Sequence, residues 1–96
     1  PKDKAKAFEL FTRAANAGNT NANVALGNYY QFGVGGFQIN LQKAIFYYKK
    51  AIAIPELIKI GMKEGCYLQA RTVLNIFSRD PQLTEEQREA ASKGLQ

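Results

Sequence analysis

Apolar residues recur along this chain at helical spacing rather than at the alternation of a strand. Ala7, Phe8, Phe11, Ala14 and Ala15 fall at i, i+1, i+4, i+7 and i+8, the stripe of an amphipathic helix. Leu41, Ala44, Ile45, Tyr48, Ala51 and Ile52 repeat that stripe, and between the two lies a third, made of Ala22, Ala25, Leu26, Tyr29 and Tyr30. The turn Gly18-Asn19-Thr20-Asn21 opens the third stripe and Gly33 closes it, because glycine readily takes the left-handed conformation that ends a helix. The following Gly33-Val34-Gly35-Gly36 cannot propagate a helix cheaply, so a loop is expected to run to Asn40, a good N-cap for the next helix.

Beyond Ile54 the pattern loosens. Pro55 suits a first helical turn, Leu57, Ile58, Ile60 and Met62 suggest a short helix, and Gly65 reads as its end. Ala70, Val73, Leu74 and Phe77 predict a fifth helix from Tyr67, stopped by Asp80-Pro81. Thr84 with Gln87 three residues on is a capping box for a last helix ending near Gly94. The expectation is a stack of about six helices, the first three antiparallel to their neighbours because their loops are short.

Two of these helices are copies of one another. Residues 3–18 and 40–55 superpose with a period of 37: Lys6 with Lys43, Ala7 with Ala44, Phe11 with Tyr48, Arg13 with Lys50 and Ala14 with Ala51. The stretch from Ala15 to Ile52 carries, in order, Gly18-Asn19, Ala22, Leu26-Gly27, Tyr30, Gly33, Asn40, Lys43-Ala44, Tyr47-Tyr48 and Lys50-Ala51-Ile52. This arrangement resembles the Sel-one-like repeat family, a branch of the tetratricopeptide-type helical repeats. Asp3, Lys6-Ala7, Leu10-Phe11 and Arg13-Ala14-Ala15 resemble the second half of an earlier repeat.

The resemblance implies an all-α fold, a right-handed alpha-alpha superhelix of antiparallel helix pairs. It divides a single helical-repeat domain over 1–96 into the second helix of a truncated repeat (3–18), a complete repeat (20–54) and a degenerate repeat or C-terminal cap (55–96). In the last part Asn75 replaces the family glycine and residues 55–65 are extra. The small residues have a physical purpose: alanines let helix axes approach closely, and Gly27 removes a side chain where another helix crosses.

Composition narrows the function. The chain has 96 residues, 46 % of them hydrophobic and 22 % charged, as expected of a globular domain, and no apolar run reaches the roughly 20 residues of a membrane span. It starts at Pro1 without a signal-like progression and reads as a fragment, which leaves its localisation open. With no histidine and a single cysteine, Cys66, it lacks Ser-His and Cys-His nucleophile pairs, His-containing metal sites and internal disulfides. Most of its carboxylates fall on helix starts or polar faces, where support of the helix dipole explains them. Gly33-Val34-Gly35-Gly36 follows no strand and precedes no Gly-Lys-Ser/Thr, so it reads as an interhelix loop rather than a phosphate cradle. The expectation is therefore a protein without catalytic residues, cofactor or metal.

Net charge is +5, concentrated in residues 1–53, where Lys2, Lys4, Lys6, Arg13, Lys43, Lys49 and Lys50 face only Asp3 and Glu9. A basic module for nucleic acid or another polyanion is the alternative function; it requires Arg13, Lys43, Lys49 and Lys50 on one continuous face. The leading expectation, implied by the resemblance, is a protein-interaction scaffold that holds a protein or peptide on the concave side lined by first helices. If Ala22, Leu26 and Tyr29 face the core, the opposite side of their helix carries Asn21, Val24, Asn28 and Gln31. A shift of 48, from Ala22 to Ala70, adds Gln69, Thr72, Ile76 and Arg79 on the fifth helix. The amides in these rows suit an extended backbone, and Val24 and Ile76 offer apolar contacts.

Overall fold

The computed structural model describes residues 2–34, 38–52 and 64–96. They form five α-helices: α1 (Lys2–Asn16), α2 (Thr20–Phe32), α3 (Leu41–Ile52), α4 (Glu64–Arg79) and α5 (Glu85–Gly94). No strand occurs among the described residues. The short helix expected over 55–65 falls almost wholly outside them. Its expected end does not hold: Gly65 sits in the first turn of α4 instead of closing an earlier helix. A glycine is cheap there, because the first N–H groups of a helix have no partner within it.

Local chemistry accounts for the helix ends. Asn19 caps α2, its Oδ1 accepting from Ala22 N at 3.0 Å, and Gly33 ends it at φ 66°, its N–H donating to Tyr29 O at 2.8 Å. Asn40 Oδ1 accepts from Lys43 N at the start of α3. Thr84 and Gln87 complete the reciprocal capping box of α5. The turn before it is tied by Asp80 Oδ1, which accepts from Gln82 N, and by Arg88, which donates to the carbonyls of Asp80 and Leu83.

Successive helices pack side by side. Ala15 shares a buried cluster with Ala22 near the α1–α2 turn, while Phe8 meets Tyr29 and Tyr30 far from it, the register of an antiparallel pair. In α3, Lys43 lies over Tyr30 near the loop and Tyr48 meets Gly27 further along, again antiparallel. The larger core joins Ala44, Ile45, Tyr48, Ala51 and Ile52 of α3 to Ala70, Leu74 and Phe77 of α4 and Ala91 of α5. Val24 belongs to this second cluster, and α2 packs on α4 as well as on α1 and α3.

Candidate partner-binding face

Helix α2 is buried along two different arcs. Ala22 and Leu26 point to α1, and Gly27 points to α3, where a Cβ in its place would lie 2.6 to 2.8 Å from the Tyr48 ring. Val24, about 200° around the helix from Ala22 at 100° per residue, is buried on the far arc with the α3–α4 core. It was expected on the open face and is only 3 % exposed. The expectation treated α2 as covered on one side, whereas α4 covers a second one.

The strip left open is rotated accordingly, to Asn21, Ala25, Asn28 and Phe32 at i, i+4, i+7 and i+11. The first three are half-buried and Phe32 is 62 % exposed. Beside the strip a shallow hollow of about 260 Å³ is lined by Phe11, Ala25, Asn28, Tyr29 and Val34.

Two of the expected residues, Asn28 and Gln31, meet at one buried hydroxyl, and a third, Gln69, meets Asn28. Tyr48 is fully buried, and its Oη lies 2.6 Å from Asn28 Oδ1 and 2.8 Å from Gln31 Oε1; Gln69 Nε2 lies 3.1 Å from Asn28 Oδ1. A phenol carries one proton, so it donates to one oxygen only. Asn28 Oδ1 has two lone pairs and accepts from Tyr48 and Gln69 together. Both bonds to the phenol then hold when the Gln31 amide is turned end for end and donates to Oη, an exchange of near-isosteric groups. Burial pushes the Tyr48 phenol well above its ordinary pKa, so it stays a neutral donor through the physiological range. Asn28 is thereby oriented from two sides. Its Nδ2 has no partner among the described residues and carries two N–H donors at the centre of the strip.

The remaining expected residues are dispersed. Asn21 stands on the strip, with an Oδ1 that is shut from solvent and unpaired, like that of the buried Asn23. Thr72, Ile76 and Arg79 are exposed on α4, but Thr72 lines a separate hollow of about 350 Å³ with Leu68, Arg71, Asn75 and Leu95. Of the basic residues required for the alternative function, Lys43 Nζ lies 5.2 Å from the Tyr30 ring, whereas Lys49 and Lys50 line a different cleft shared with α4 and α5. Reading the sequence missed Ala25 and Phe32 as strip residues, and Tyr48 as the group that orients Asn28.

Among the described residues no helix is long and apolar enough to cross a membrane, and no three His, Cys, Asp or Glu side chains come together as a metal site. A family model described as the Sel1 repeat matches residues 1–19 and 20–53, together more than half of the chain. Sel1 repeats are generally protein-interaction modules. No curated protein and no solved structure matches the chain.

Proposed function

We propose, from the premise that the chain belongs to the Sel1 repeat family, that it is a protein-binding scaffold which grips an extended segment of its partner along α2. In this reading the helices are part of a right-handed alpha-alpha superhelix. Residues 3–18 are the second helix of a truncated repeat, 20–54 a complete repeat, and 55–96 a worn repeat or cap. The module binds and holds; it performs no chemistry of its own.

The observation that carries the proposal is the orientation of Asn28. Its oxygen is committed to Tyr48 and Gln69, which aims its NH2 outward with little rotamer freedom left to lose on binding. A backbone carbonyl of an extended partner is the natural acceptor. Phe32 on one side, and the hollow floored by Phe11, Ala25, Tyr29 and Val34 on the other, take apolar side chains of the same segment. A strip of amides and apolar groups without charge suits contact better than solvation. Gln69 extends the contact to α4, and Thr72, Ile76 and Arg79 would meet longer partners.

Selection of peptides from a random display library on the immobilised protein tests the reading. Peptides recovered on the parent should bind Phe32→Ala and Asn28→Ala about tenfold or more weakly, a loss of the size expected for a central contact. Binding to Arg79→Ala should change much less. Undiminished binding to both α2 variants would refute the strip as the contact surface.

A further inference from the structure

A second concave site lies away from the α2 strip. Helices α3, α4 and α5 surround a cleft of about 520 Å³, within the range of clefts that hold small ligands or a few side chains. Four cations line it: Lys49 and Lys50 from α3, Arg71 from α4 and Lys93 from α5. Phe46, Ile52, Tyr67 and Leu95 supply apolar wall between them. None of Asn21, Ala25, Asn28 or Phe32 takes part.

Helix ends explain some of this charge but not all of it. Lys49, Lys50 and Lys93 stand in the last turns of α3 and α5, where cations offset the negative end of the helix dipole. Arg71 stands in the middle of α4, where no such role exists, and it points to the same space. Lys93 meets Glu89 at 3.5 Å in an exposed pair; among the described residues no carboxylate pairs with Lys49, Lys50 or Arg71. Two of the cations are also held in place. The stem of Lys49 lies where a side chain at position 94 would go, so Gly94 lets it lie close along the end of α5. Lys50 Nζ sits 5.5 Å from the Phe46 ring centre and 5.9 Å from that of Tyr47.

Converging, mostly unpaired cations around an apolar wall fit an anion with an apolar body. We infer that this cleft binds an acidic peptide segment, its carboxylates meeting Lys49, Lys50, Arg71 and Lys93 while an aromatic or aliphatic side chain lies against Phe46, Ile52 and Leu95. A peptide is favoured over a nucleic-acid strand because the charge is gathered in one hollow. A strand needs a basic track along its backbone, and Lys43, over the Tyr30 ring, does not line the cleft. The inference stands whether or not the α2 strip binds a partner.

Fluorescence anisotropy with labelled twelve-residue peptides decides it. The probes are a peptide of interspersed Glu and Phe, its Gln-for-Glu and Ser-for-Phe counterparts, and a single-stranded oligothymidylate. The Glu/Phe peptide should bind about tenfold or more tightly than either counterpart, and more weakly as salt is raised. Lys50→Gln with Arg71→Gln should lower its affinity about tenfold or more while the helical circular dichroism stays unchanged, and Asn28→Ala should leave it as it was. Equal binding of the Ser-for-Phe peptide would reduce the cleft to unspecific charge attraction and overturn the inference. Tighter binding of the oligothymidylate would overturn it in favour of nucleic acid. An equal loss on Arg13→Gln with Lys43→Gln would overturn the location.

Discussion

Replacing Gly27 by alanine sets two known effects against each other at one atom. In a helix interior alanine is favoured over glycine by about 1 kcal/mol, so the substitution should stabilise if the space were open. It is not open: the new methyl would stand 2.6 to 2.8 Å from three atoms of the Tyr48 ring. Ordinary carbon contacts begin near 3.5 Å, so the ring and α2 would have to part by roughly 0.8 Å. The ring cannot swing aside, because Tyr48 is fully buried and its hydroxyl is tied to Asn28 and Gln31. Overpacking of this kind costs about 1 to 3 kcal/mol, and loosening either hydrogen bond adds about 1 more. The clash outweighs the propensity gain, and Gly27→Ala should destabilise by about 1 to 3 kcal/mol, or roughly 4 to 8 °C of Tm for each kcal/mol. Urea unfolding followed by circular dichroism measures this. The same substitution made on Tyr48→Leu should lose most of its cost, since the obstructing ring is gone. A raised midpoint for Gly27→Ala, or an equal effect in both backgrounds, would refute the reasoning.

The other stability predictions share that assay. Ala44→Leu, at a fully buried position between helices, should cost about 1 to 3 kcal/mol, whereas Gln42→Ala on the exposed side of α3 should stay within about 0.5 kcal/mol. Tyr48→Phe leaves Asn28 and Gln31 short of a partner and should cost about 1 to 2 kcal/mol at neutral pH. Its pH dependence has a definite sign. The folded phenol titrates above the unfolded one, so its stabilising effect is complete below about pH 10 and is lost as pH rises further; the parent should lose stability toward alkaline pH more steeply than Tyr48→Phe. Thr84→Ala, which opens the capping box of α5, should cost about 1 kcal/mol of stability.

Periodicity and end signals made most of the architecture legible, because each rests on local chemistry. Asn19, Gly33, Asn40 and the Thr84–Gln87 box act where their side chains and backbone dictate. Gly27 was also legible as a crossing point, and its neighbour turned out to be Tyr48. The binding face was harder to read for a physical reason. A helical stripe tells which residues are apolar, not how many neighbouring helices cover them. Val24, an apolar residue in a row of amides, was itself the signal that a second helix packs there, and reading it as a partner contact turned the strip by about 50°. Likewise the sequence pairs Tyr48 with Phe11 as equivalent positions, yet only Tyr48 has the hydroxyl that gathers Asn28 and Gln31. That contact joins residues far apart in the chain and leaves no spacing to find. Any exchange at Asn28 or Gln31 therefore perturbs a buried hydroxyl as well as the surface, so Phe32→Ala is the cleaner probe of the strip.

The central claim is that α2 presents an oriented amide and an apolar strip to an extended partner. Amide chemical-shift mapping of the isotope-labelled protein, titrated with a peptide selected on it, tests this most directly. Saturable shifts are expected at Asn21, Ala25, Asn28 and Phe32, including the Asn28 side-chain NH2, reaching Gln69 on α4. Shifts confined to α3 and α5, with the Asn28 side chain unmoved, would contradict it.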